Sequence, residues 1–333
     1  MVRAMMKAVG LGCVLILAGC GGSAAVDGGV VDHDAGRGSD AGARDDAGVD
    51  GGVVDHDAGT PGDDAGTPGE CGAARPDLGG ITGTEGLVIA RDGTIYYSRS
   101  GGVGRMRPGA APEHGFVSIG GTVWGLALDA ANETLYVGNP GHGVHQVDLT
   151  AATPAAGDFV NDLGAPNGLT VGPDGFLYYS DFNGGRVYRV DPASGTRAEV
   201  TASMISGANG LAFESGGTLL VASYGTGRLL RLTLTAGVET GRATVTDDLS
   251  NPDGVAVAAD GTIYVGDQGG AIPAGVYSIS AGVVTPVRTG LSAPASVEFG
   301  AGALRCDDLY VAIGGGAMQR IEAVGEGAAV PWH

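Results

Sequence analysis

Four residues scattered between positions 85 and 253 share one local setting. Glu85, Asn167, Asn209 and Asp253 are each followed by glycine and then by Leu or Val. Trp124 has the same setting, and Ser296 opens a degenerate sixth copy. If the fold brings these leads to one place, two carboxylates and two carboxamides converge there. Unpaired, they repel one another and lose hydration. A hard cation resolves this. Calcium takes about six to eight oxygen ligands, carboxylates and Asn carbonyls among them. Two carboxylates cancel its charge, and four protein ligands leave room for water and a substrate. No His or Cys accompanies these positions, so zinc is not expected. Asn-Gly and Asp-Gly are also ordinary turn dipeptides, which is the plain alternative.

The elements that must position the leads are strands. Residues 166–195 hold a short apolar run, a Pro-Asp-Gly turn, an aromatic run from Phe176 to Tyr179, a Gly-rich turn after Asp181, and an alternating run from Val187 to Val190. Such runs between turn residues form a meander. Copies begin at the six leads, at intervals of 39, 43, 42, 44 and 43 residues. A period of about 40 to 45 residues carrying only strand signals is a propeller blade. The chain lacks the repeated Gly-His and Trp-Asp pairs of a WD-repeat propeller. The reading is an all-β, six-bladed β-propeller with four-stranded blades over 71–333. The apolar run after each lead is the innermost strand, the YYS-type run the second, and the RVYRVD-type run the third.

In such a ring the leads crowd one mouth of the axial channel, and second-strand ends point to the same mouth. That places Asp181, Asp267, Ser223 and the loop 139–145 there. Trp124, Asp181, Asp267 and Ser296 are the expected pocket wall. His142, in a Gly-rich turn, is a candidate general base or carbonyl partner, or an exposed loop histidine without a role. The second-strand tyrosines are expected to pack the blades.

The N-terminal part reads differently. Arg3 and Lys7 precede an apolar run from Ala8 to Leu17, an export signal too short to span a membrane stably. Leu17-Ala18-Gly19-Cys20 resembles the lipobox of bacterial lipoproteins, which implies lipidation at Cys20, and Gly21 directs the expectation to the outer membrane. Residues 21–70 repeat GGVVDHDAG and DAGTPG, with twelve acidic residues against two arginines and no aromatic residue. That composition does not bury enough apolar surface to fold. A solvated, disordered tether, on the order of 40 Å root-mean-square for 50 residues, is expected, its two Asp-His-Asp triplets notwithstanding. The net charge of −19, without a basic stripe, excludes a nucleic-acid binder. Membrane contact is expected through the lipid only, and the domain as a monomer. Cys71 and Cys306 flank the point where the ring closes, so a disulfide is expected between them. The final residues 328–333 look like one more strand, completing the first blade.

The blade unit and its leads resemble the gluconolactonase family, which includes regucalcin, over roughly 75–333. Paraoxonases and diisopropylfluorophosphatase are similar in structure. The resemblance implies a catalytic divalent cation, usually calcium, on the axis. Its ligands are a Glu of the first blade, Asn of the third and fourth, and Asp of the fifth. Here those are Glu85, Asn167, Asn209 and Asp253. It also implies that Asp253 or Glu85 orients or deprotonates the attacking water. Ala165 stands where gluconolactonases commonly have an Arg that contacts the sugar acid, which weighs against sugar-acid lactones. The expectation is a metal-dependent hydrolase of lactones or related esters, acting on a small molecule. The alternatives are a non-enzymatic module binding protein or glycan, and a quinone-dependent dehydrogenase. The last would need cationic leads that the sequence lacks.

Overall fold

The computed structural model describes residues 71–327 apart from 162, 163, 315 and 326. The export signal, Cys20, the acidic linker and the strand expected at 328–333 lie outside them. The described chain is a ring of six antiparallel sheets in sequence order. The inner strands are Leu87–Ile89, Leu126–Leu128, Pro166–Val171, Ala208–Phe213, Pro252–Val257 and Pro294–Phe299. Four blades carry four separate strands. In the first blade the second and third strands are one run, Ile95–Met106. It folds back at Gly101, whose φ is +83°. A side chain at Gly104 would meet the ring of Tyr97 at 2.4 Å, whereas seven residues of straight strand would span roughly 23 Å. The outer place in this blade belongs to Glu113–Thr122. The last blade shows three strands among the described residues.

Local chemistry explains the meander. Inner and second strands are joined by turns with glycine at positive φ, such as Gly93 at +89° and Gly175 at +76°, which Gly adopts without steric cost. The preceding aspartates accept the backbone N–H two residues on, Asp92 Oδ1 from Thr94 at 2.8 Å and Asp174 Oδ1 from Phe176 at 3.2 Å. Burial falls from axis to rim. Leu177–Asp181 and Leu219–Ser223 are buried throughout, while the outer strand Arg197–Glu199 is exposed.

The core is divided into seams. One apolar cluster fills each junction between neighbouring blades. Tyrosines of second strands span several of them. Tyr178 meets Phe213 at 5.0 Å, and Tyr264 meets Phe299 at 5.5 Å between centroids. Each Leu, Val or aromatic side chain buried in a seam contributes about 1.5–3 kcal/mol, so the ring is held by its interfaces.

The ring closes on the last blade from the N-terminal side. Gly72 and Ala74 donate to the carbonyls of Gly302 and Ala303, and Met318 donates to Ile81. Leu78 and Ile81 fill the seam between the last blade and the first. Arg75 forks onto the buried Asp308 at 2.7 and 2.9 Å. The disulfide Cys71–Cys306 joins positions 235 residues apart, with 5.5 Å between Cα atoms.

Candidate functional site

The inner strands approach one another so closely that only glycine fits after most leads. A Cβ on Gly86 would stand 2.0 Å from the carbonyl oxygen of Trp124. On Gly168 it would stand 2.3 Å from that of Asn209, and on Gly210 2.1 Å from that of Asp253. The Asn167-Gly168, Asn209-Gly210 and Asp253-Gly254 dipeptides therefore lie within inner strands and are not turns. Glycine permits backbone contact around the axis, and the residue before it is carried to the channel.

The sheet register corrects one position. Leu87, Leu169, Leu211 and Val255, each two residues after a lead, pair with Tyr97, Tyr179, Val221 and Val265. In the last blade Val297 pairs with the equivalent Val311. The sixth lead is therefore Ala295, and Ser296 occupies the glycine place. The close contact agrees, since a Cβ on Gly254 would stand 2.4 Å from the Ala295 carbonyl oxygen. Ser296 still lines the channel, and its N–H donates to the Glu85 carbonyl at 3.1 Å. The last blade thus brings no ligand side chain of its own at lead position.

The axial cavity, about 50 Å³, is lined by Glu85, Trp124, Asn167, Asn209 and Asp253 together with the inner-strand residues that follow them. Asn167, Asn209 and Asp253 are buried. The backbone of the first lead is fixed by Ser98 Oγ, which accepts the N–H of both Glu85 and Gly86 at 2.9 Å. Asp253 accepts from Gln268 Nε2 at 2.6 Å and is hydrogen-bonded by the Asn209 side chain. Burial pushes the Asp253 carboxyl well above the usual carboxylate range, and the charge of Glu85 pushes it further; the two hydrogen bonds oppose this. Burial also raises Glu85. Among the described residues no Lys or Arg lines the cavity.

These residues fit a hard divalent cation. The buried Asp253 and half-buried Glu85 carboxylates repel without a compensating charge, and Asn209 Oδ1 is buried with no hydrogen-bond partner, a costly state for a carboxamide oxygen. Among the described residues no three His, Cys, Asp or Glu side chains converge, so the carboxamides must complete any cation site here.

The remaining candidates fall elsewhere. Asp181 and Asp267 end second strands but do not line the cavity. Asp181 Oδ1 accepts from the N–H of Ala165 and Gly184 at 2.9 and 3.0 Å. Asp267 accepts from Ser250, Asn251 and Gly269. Both carboxylates tie down the loops that lead into the inner strands. His142 is exposed on its turn, outside the cavity lining. The neighbouring His145 is held by Asp158 at 3.1 Å and by Asn139 at 3.3 Å.

One cavity residue escapes the reading by leads. Glu298 lines the channel without a hydrogen-bond partner among the described residues, and burial pushes its carboxyl up to about 8. Its signal in the sequence is a misfit. The equivalent places in the other blades hold Val88, Ala127, Thr170, Ala212 and Ala256.

No protein-family model matches this sequence, and no curated protein does. Solved structures are similar in fold. A candidate gluconolactonase aligns with a TM-score of 0.60 at 22% identity, over 75% of this chain and 91% of its own. Luciferin-regenerating enzyme aligns with a TM-score of 0.60 at 16% identity, over 74% and 94%. A gluconolactonase from Xanthomonas campestris aligns with a TM-score of 0.58 at 19% identity, over 72% and 86%. At these identities the likeness is one of fold, a six-bladed propeller.

Proposed function

We propose that the axial site is a hydrolytic centre for lactones or related esters, working with a divalent cation held by Glu85, Asn167, Asn209 and Asp253. The observation that carries this reading is the buried Asp253 carboxylate, with the half-buried Glu85 carboxylate raising it and no cation among the lining residues, beside the unpartnered Asn209 Oδ1. Calcium is the best match to an oxygen-only donor set of this charge. When bound, such a cation supplies Lewis acidity toward an ester carbonyl. The chain's own residues do the rest. Gln268 and Asn209 hold the Asp253 carboxylate, which would orient the attacking water and accept its proton. The water oxygen then adds to the acyl carbon, and the acyl C–O bond breaks. The leaving alkoxide is reprotonated from the same carboxyl, so the carboxylate is regenerated. Trp124 walls the site and excludes water from one side. The gluconolactonase-like neighbours support the reaction class by fold analogy.

Elemental analysis of the purified chain, with lactone and aryl-ester hydrolysis before and after chelation, tests this. Bound calcium with chelator-sensitive turnover is the expected result. Bound metal without turnover on any lactone or ester would move the function to a binding module, and absence of both would overturn the reading. The chain is further proposed to be lipid-anchored through Cys20 to a bacterial outer membrane, on its lipobox-like motif. The Cys20→Ala protein should then be soluble or unprocessed; processed protein still fractionating with membranes would rule the anchor out.

A further inference from the structure

Three aromatic rings from successive blades stand in a chain beside the axial site. Trp124 and Phe182 meet edge to face, with centroids 6.2 Å apart, and Phe182 and Tyr224 likewise at 5.5 Å. The arc begins in the channel wall, which Trp124 lines. It ends at the carboxylates. The Tyr224 hydroxyl lies 3.5 Å from Gln268 Oε1, and Gln268 holds Asp253. After burial, the charges of Asp253 and then Glu85 are what raise the Tyr224 phenol.

The blade architecture does not ask for these rings. Phe182 and Tyr224 directly follow their second strands, and at that place the other blades carry Ser100, Pro140, Gln268 and Gly314. All three aromatics remain half-buried, so they are not spent on a seam. The far side is bare. Gly314 has no side chain, and a Cβ there would come within 3.7 Å of Glu85 Oε2. Ala295 also offers nothing polar. The mouth therefore has an apolar aromatic flank over the second to fourth blades and an open flank over the last.

We propose that Trp124, Phe182 and Tyr224 form a subsite for the apolar, aryl part of a substrate whose carbonyl lies at the axial carboxylates. The substrate class is then aryl lactones and aryl esters rather than polyhydroxylated lactones. The arc offers two polar groups, the Tyr224 hydroxyl and the Trp124 indole N–H, which has no partner among the described residues. A sugar lactone placed there would lose the hydration of several hydroxyls with too few partners in return. An aryl group buries apolar surface and stacks or packs edge-on against the rings. The chemistry of the carbonyl rests on the hydrolytic reading above; the subsite itself is a binding property.

The test separates the two. Calorimetric titration with 3,4-dihydroquinolin-2-one, the unreactive lactam analogue of dihydrocoumarin, is run in calcium buffer on the full chain and on Trp124→Ala, Phe182→Leu, Tyr224→Ala and Tyr224→Phe. Saturable binding is expected in the native chain, weakened about tenfold by each ring-removing change and little affected by Tyr224→Phe. Turnover of dihydrocoumarin is compared with that of glucono-1,5-lactone, and a higher kcat/KM for dihydrocoumarin is expected. Lactam binding that depends on the arc, without hydrolysis of either compound, keeps the subsite and removes the hydrolytic reading. Hydrolysis without lactam binding, or lactam binding indifferent to all three ring-removing variants, overturns the subsite and leaves the hydrolytic reading standing. Thermal unfolding checks each variant; if Trp124→Ala does not fold, the Phe182 and Tyr224 variants decide.

Discussion

Gln268 Nε2 stands 2.6 Å from Asp253 Oδ2, one blade residue steadying the most buried carboxylate of the axial ring. A hydrogen bond to a charged group is worth about 1.5–3 kcal/mol, and this one lowers a carboxyl that burial and Glu85 push upward. Replacing Gln268 by Leu should raise Asp253 further. Calcium affinity at neutral pH is expected to fall about tenfold or more, with much of the loss recovered at higher pH where the carboxyl ionises. Calorimetric titration between pH 6 and 9 measures this. An unchanged affinity and pH profile would show that Gln268 does not tune the site.

Asp253→Asn should separate stability from metal binding. Both axial carboxyls titrate higher in the folded chain than in an unfolded one. Their contribution to stability is therefore full below the unfolded carboxylate range and is lost as pH rises through the folded values. Without calcium at pH 8 the amide variant is expected to melt above the native chain. With calcium at a hundredfold excess over its dissociation constant the native chain should gain about 3 kcal/mol, and the variant little. Calorimetric melts with and without calcium decide. A variant that keeps the full calcium-induced gain would remove Asp253 from the ligand set.

Glu298 gives a second pH signature. Its folded value of about 8 exceeds the ordinary 4.5, so the folded chain holds that proton more tightly than the unfolded one. Stability from this group is present below the unfolded value and lost between there and about pH 8. Glu298→Gln should behave like the native chain at pH 4 and be the more stable of the two at pH 9. Urea unfolding at the two values is the measurement, and equal stability at pH 9 would contradict the burial of an uncompensated carboxyl.

The disulfide should matter at the closure point. Cys71→Ser is expected to cost about 2–4 kcal/mol. The loss stays below the chain-entropy limit for so long a loop, because Arg75 still clamps Asp308 and Leu78 and Ile81 still fill the closing seam. Denaturant melts with and without reductant provide the check, and they should show the native chain moving toward the variant when reduced.

The ring was legible because each blade repeats the same alternation and four of the six repeat an Asp-Gly or Gly-Gly turn, so period and strand order follow from local chemistry alone. The lead residues were legible for the same reason in five blades. The sixth differs by one residue because this blade has Ser296 in the glycine place, which leaves Ala295 without the Gly that marks the other leads. Only strand register, or aligning PASVEF with PDGVAV, separates them. Of the aromatic arc only Trp124 was legible, through its place as a lead. Glu298 shows only as the one acidic residue at its place in the repeat, a signal outside the reading by leads. Nothing local in the sequence says that Phe182 and Tyr224, which follow strand ends, stand beside the site, and Phe182 reads as part of a turn. Asp181 and Asp267 misled in the opposite sense. They end strands directed at the mouth, yet their carboxylates are consumed by backbone N–H groups that no sequence pattern displays.

The glycines behind the leads set a limit on how this protein can change. At Gly86, Gly125, Gly168, Gly210 and Gly254 a single added methyl would collide with a neighbouring backbone carbonyl. The aperture is therefore a fixed dimension, defined by main chain against main chain and insensitive to side-chain repacking in the seams. Selectivity cannot drift by widening or tightening the ring. It can change only through the side chains mounted on it, at the leads and at the residues that follow the second strands. Variants with new ligand preferences should accumulate at those dozen places, while the diameter of the axial opening stays constant.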